Sequence, residues 1–118
     1  MPAHNPAEIH ALFLGAFNRG DVEAVVALYE PNAVIVIGGE TVAGRQAIRE
    51  TYQRLFASHG HMELETRALV ETEELALLHA NWTYQTEETT LRRLSTEVVR
   101  RQADGTWLFV IDEPRTPQ

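Results

Sequence analysis

The chain has 118 residues, 44% apolar and 23% charged, the make-up of a single ordinary globular domain. It contains no cysteine and no lysine, which excludes disulfides, thiolate nucleophiles, Cys-bound metals and Schiff-base chemistry. Its formal charge of −7 speaks against nucleic acid or an anionic membrane as partner, since both call for a positive surface.

No apolar run approaches the roughly 20 residues that a bilayer span needs. The opening MPAHNPAEIHALF lacks a basic segment followed by a long apolar one, so it does not read as a secretory signal. The expected compartment is the cytoplasm.

In chain order, NPAEIHALFLGAFNRGD predicts a helix capped by Asn5, with Pro6 in its first turn and Glu8 three residues after the cap. Ile9, Phe13, Ala16 and Phe17 fall on one face. Gly20 ends this helix, and Asp21 caps a second carrying Val22, Val25, Val26 and Tyr29, which Pro31 stops. The β-branched AVIVI (33–37) predicts a strand, turned by Gly38-Gly39 into a short second one around Thr41-Val42. Gly44 opens a third helix reaching about Ser58, with Ile48, Tyr52, Leu55 and Phe56 on its buried side.

Strand periodicity then takes over. MELETRALVETEE alternates with Met62, Leu64, Thr66, Ala68 and Val70 on one face. In LALLHANWTYQTE, Leu78, Ala80, Trp82 and Tyr84 lie opposite Leu77, His79, Asn81 and Thr83. RRLSTEVVRRQADGTWLFVIDEP predicts a hairpin turning at Ala103-Asp104-Gly105, its last strand apolar on both sides and so interior to a sheet.

Three helices, interrupted by a short hairpin and followed by a long antiparallel sheet, make an α+β domain spanning 1–118, with residues 1–4 and 115–118 expected as loose ends. A curved sheet around the helices forms a cone whose interior collects Phe13, Phe17, Ile37, Tyr52, Phe56, Trp82 and Tyr84. Such a set builds either a pocket wall or a filled core. On simple alternation Asp112 shares a face with Leu108 and Val110 near the cone mouth, whereas Trp107 faces outward. His79 points to the outer face, and His10 joins no recognisable constellation. His59-Gly60-His61 lacks a third ligand at metal-site spacing, so no metal and no cofactor are expected.

AFNRGDVEAVVALYEPNAVIV, GETVAGRQAIRETYQRLF and VVRRQADGTWLFVIDEP together resemble the nuclear-transport-factor-2-like (NTF2-like) superfamily, nearest to its SnoaL-like polyketide cyclases and ketosteroid isomerases. The resemblance implies a cystatin-like cone and a homodimer joined through the outer sheet face. It also implies a mechanism with a strand carboxylate as base and a tyrosine and a protonated acid as oxyanion donors. Carried over position by position, that tyrosine falls on Phe13 and the base on Ile37, neither of which can hold a proton. Tyr52 and Tyr29 match supporting tyrosines, and the protonated acid falls on Glu97. Steroid isomerisation by the usual route is therefore not expected.

Fold alone does not settle function. Glu97 and Asp112 are the candidate catalytic acids. Phe13, Phe17, Tyr29, Ile37, Tyr52, Phe56, Trp82 and Tyr84 are the candidate ligand-binding set, for a small hydrophobic molecule. One reading is a cofactor-free cyclase, isomerase or dehydratase using acid–base chemistry on a polycyclic or carbonyl compound. The others are a non-catalytic hydrophobic-ligand-binding module and a dimerisation module.

Overall fold

The structure is a computed structural model describing residues 2–115. After a 3-10 turn at Pro6–Glu8 come α1 (Ile9–Asn18), α2 (Val22–Val26), β1 (Tyr29–Ile37), β2 (Glu40–Ala43) and α3 (Arg45–Phe56). Four long strands follow: β3 (His61–Glu71), β4 (Leu75–Gln85), β5 (Thr90–Arg101) and β6 (Trp107–Arg115). The six strands form one sheet in the order β2-β1-β6-β5-β4-β3. This is the cystatin-like α+β cone, with one correction. The sheet is mixed, not antiparallel throughout, because β1 runs parallel to β6. The chain between them includes α3 and the long meander, length enough for a parallel return.

Local chemistry accounts for where the helices begin. Glu8 accepts from the His4 backbone N–H (2.7 Å), while the Asn5 side chain caps nothing, so the first turn is 3-10 and α1 begins at Ile9. Asp21 caps α2 as its sequence predicts, its Oδ1 accepting from the Ala24 N–H at 3.1 Å. That helix is shorter than expected, and Tyr29 already lies in β1. The Phe109 N–H donates to the Leu28 carbonyl (2.7 Å), drawing the chain into the sheet before Pro31. Pro31 then sits in the stretch between Tyr29 and Val34 where the β1–β6 register shifts, a place where a missing N–H costs no ladder bond.

Two bulges decide which side chains face the helices. In β3 the register shifts between Thr66 and Ala68, so Arg67 is the extra residue. Thr66 then shares the inner face with Met62 and Leu64, but Ala68 and Val70 go to the outer face, against the simple alternation. In β6, Val99 pairs with Phe109 while Val98 pairs with Ile111, leaving Val110 extra. Trp107 and Phe109 therefore point inward and are buried, and beyond the bulge Asp112 takes over the inner face. The expectations of an outward Trp107, and of Asp112 in phase with Leu108 and Val110, are both corrected by this one inserted residue.

The core gathers Ile9, Phe13, Ala16 and Phe17 of α1 against Tyr29, Ile35, Leu78, Val99 and Phe109. Phe13 meets Phe109 edge-on at 6.1 Å, a favourable arrangement of ring quadrupoles. At the end expected to be loose, Ala3 is fully buried and its carbonyl accepts from the Trp107 N–H (2.9 Å). Arg115 closes β6, and residues 116–118 lie outside the described residues.

Candidate functional site

Within the cone lies a half-open cavity of about 900 Å³. Phe13 and Phe17 of α1, Tyr52 of α3, Ile35 of β1, Trp82 of β4 and Phe109 of β6 supply its apolar walls. Ile37 and Gly38-Gly39 form part of its rim, where Ile37 is exposed.

Two carboxylates meet in this apolar space. Glu97 of β5 and Asp112 of β6 are direct cross-strand partners on the inner face, and both line the cavity. Glu97 is only 4% exposed. Burial, reinforced by the Glu97 carboxylate opposite and only partly offset by a hydrogen bond from Tyr29, pushes the Asp112 carboxyl up to about 7. A carboxyl titrating there can both take and return a proton at neutral pH.

Each acid has its own support. The His10 Nε2 of α1 contacts Glu97 Oε1, and both residues are buried. On the far side of the ring, His10 Nδ1 lies 2.6 Å from the Thr66 hydroxyl. A ring held at both nitrogens has a fixed orientation. His10 is the candidate-site residue that strand-by-strand reading misses. Its signal is helical spacing, since His10, Phe13 and Phe17 stand at i, i+3 and i+7 on the cavity-facing stripe.

Asp112 is supported by a tyrosine chain. The Tyr29 hydroxyl donates to Asp112 Oδ2 at 2.7 Å, and the Tyr52 hydroxyl lies 2.7 Å from that of Tyr29. Burial holds both phenols well above their ordinary range, so they act as neutral hydrogen-bonding groups. Of the two, Tyr52 reaches the cavity; Tyr29 lies behind it, fully buried.

The ligand-binding set needs three corrections. Tyr29 lies behind Asp112, to which it donates, and does not line the cavity. Phe56 packs edge-on against Phe17 (5.0 Å) outside the lining. Tyr84 is a fastener: its hydroxyl accepts from the Gly60 N–H (2.9 Å), donates to the Leu55 carbonyl (3.1 Å) and contacts the Ser58 hydroxyl. Gly60 lies so close to this ring that a Cβ there would stand 2.2 Å from it. Phe13 and Ile37, where the isomerase resemblance would put a donor and a base, both border the cavity as hydrocarbon.

This architecture has a family. Residues 9–112 match the SnoaL-like domain. The chain belongs to that family. A search of curated proteins finds no significant match. Among solved structures, this SnoaL-like domain resembles a cystatin-like-fold domain of unknown function from Nostoc punctiforme PCC 73102, with TM-score 0.82 and 20% identity over 93% of this chain and 74% of that one. It resembles a ketosteroid isomerase-like protein from Erwinia carotovora atroseptica SCRI1043, with TM-score 0.74 and 22% identity over 94% of each chain. It also resembles a proposed dehydratase of the NTF2-like family from Streptomyces avermitilis, with TM-score 0.80 and 18% identity over 95% of this chain and 93% of that one. At such identities the likeness establishes the fold of this SnoaL-like domain, and its chemistry has to be argued from its own side chains.

Proposed function

We propose that this SnoaL-like domain is a cofactor-free acid–base enzyme of the cyclase, isomerase or dehydratase kind, acting on a hydrophobic carbonyl compound inside the cone. The observation that carries the reading is the directly opposed Glu97–Asp112 pair in an apolar cavity, with Asp112 poised near neutrality. Asp112 takes a proton from carbon next to the carbonyl and returns it. The His10–Glu97 pair faces the developing negative charge with a second exchangeable proton. The aromatic walls hold a flat substrate and keep water from the acids. The base of the usual isomerase route is replaced by Ile37, so the proton-transfer site has moved from β1 to the β5–β6 pair.

The partner we propose, besides a small hydrophobic molecule, is a second copy of the chain on the outer sheet face. Val70, Leu77, Val98, Ile111, Val34 and Ala43 oppose one another strand by strand across all six strands. Within that row Val70 is 62% and Ile111 44% exposed, an apolar band suited to a self-complementary interface.

A second reading, a binding module without turnover, is favoured by one observation. Among the described residues every buried side-chain nitrogen or oxygen already has a partner. Exchange of carbon-bound hydrogen separates the two. With 2-tetralone in D2O, an enzyme accelerates deuterium uptake next to the carbonyl, and Asp112→Asn abolishes the acceleration. Tetralone that binds but exchanges no faster than in buffer overturns the enzymatic reading and leaves the binding module.

A further inference from the structure

Arginine collects at the cavity mouth of this acidic protein. Arg54 of α3, Arg93 of β5 and Arg115 of β6 all line it, and among the described residues none forms an ion pair. Arg93 is the most constrained. It stands on the inner face directly opposite Trp82, half-buried, and one of its guanidinium nitrogens, Nη1, donates to the Arg92 carbonyl at 2.8 Å. Arg54 follows Tyr52 by two residues on the facing helix, and Nη2 reaches only the Thr51 hydroxyl, at 3.5 Å. A half-buried guanidinium with spare donors beside an indole and a hollow is suited to a planar anion.

We propose that the ligand is an amphipathic monocarboxylate, its apolar body in the aromatic interior and its carboxylate held at the mouth by Arg93 and Arg54. This rests on the reading of the cavity as a small-molecule site and names the ligand's class and orientation. The rest of the rim sets the charge. Glu40 also lines the cavity, and against Arg93 and Arg54 it leaves a surplus of one positive charge, while Glu113 and Arg115, in phase with outer-face Ile111, offset each other; this suits a carboxylate better than a dianionic phosphate. The floor sets the direction. The unpaired arginines are at the mouth and the floor holds two acids among aromatic walls, so the ligand enters with its apolar, reacting end first. The strands set the length. Arg93 is four residues from Glu97 along β5, so about 13 Å of backbone separates the anion clamp from the acids.

The test uses a matched pair of probes, 2-naphthylacetate and the uncharged 2-naphthylacetamide, titrated calorimetrically in low salt. The carboxylate binds the wild-type chain at least 10-fold more tightly than the amide. Arg93→Gln/Arg54→Gln brings the ratio of the two affinities to about one, and Arg93→Lys restores only part of the preference. Equal affinity of the two probes for the wild type overturns the anion clamp while leaving a hydrophobic binding cavity. Absence of binding by both overturns the cavity reading as well.

Discussion

Glu97 and Asp112 face each other across the β5–β6 ladder, and each is held by a different helix or strand: Glu97 by His10 of α1, Asp112 by Tyr29 of β1. Two like charges directly opposed in a sheet are unfavourable. The arrangement is stable because Asp112 gives up its charge near neutral pH and Glu97 has an imidazole against it.

The first prediction concerns stability against pH. The folded Asp112 titrates at about 7, above its ordinary value of 3.8, so between those values the native state binds the extra proton. Stability contributed by the protonated form is fully present below the lower value and is lost as pH rises through 7, on the order of 4 kcal/mol in all. Asp112→Asn removes this slope. The variant should be more stable than wild type at pH 8 and close to it at pH 4, as read from urea denaturation at both. Parallel pH dependence in the two proteins would contradict the raised Asp112.

Tyr29→Phe moves the same group in a known direction. The Tyr29 hydroxyl favours the charged carboxylate, and its removal raises the Asp112 carboxyl further. The pH at which tetralone exchange reaches half its plateau should shift upward in Tyr29→Phe. NMR titration of the Asp112 side chain gives the same shift without reference to activity.

How much of this was open to reading in the chain depends on what each signal measures. Helix and strand periods report burial, and they place the α1 stripe, the Tyr52 face of α3 and the β4 alternation correctly. Cap chemistry is local, so Asp21 is found. A bulge is a property of two strands together. Neither Val110 nor Arg67 differs in kind from its neighbours, so the inward turn of Trp107 and the outward turn of Ala68 and Val70 are invisible until the partner strand is placed. Likewise His10 and Glu97 are 87 positions apart, and their meeting requires the whole sheet to fold back over α1. Tyr84 looks like a pocket wall by alternation alone, and only the proximity of Gly60 reveals it as a clasp.

That clasp gives a third prediction. Gly60→Ala forces a methyl into the Tyr84 ring, which three hydroxyl contacts hold in place. Destabilisation of about 1–3 kcal/mol follows from such overpacking. Tyr84→Leu in the Gly60→Ala background should relieve the clash, so the two changes are non-additive in denaturant melts.

The buried His10–Glu97 pair behaves differently when halved and when replaced. His10→Ala leaves Glu97 without its partner in an apolar site and should cost about 3–5 kcal/mol. Replacing both residues with leucine restores most of that stability, because no polar group is then left buried without its partner. The double variant should remain folded yet fail to exchange tetralone hydrogens at the wild-type rate, separating the pair's chemical role from its structural cost. Full exchange activity in the leucine pair would remove His10 and Glu97 from the proposed mechanism.

The outer face supplies the last prediction. Val98 lies at the middle of the six-strand apolar row, with Leu77 on one side and Ile111 on the other. An interface centred there would desolvate it completely, and a guanidinium at that point would have no partner on a symmetry-related copy of the same row. The wild-type chain should sediment at twice its 13.3 kDa mass, and Val98→Arg at the single-chain mass. Because Val98 points away from the cavity, ligand binding by the monomeric variant should persist. A wild-type chain that sediments as a monomer at high micromolar concentration would leave the apolar row without its proposed partner.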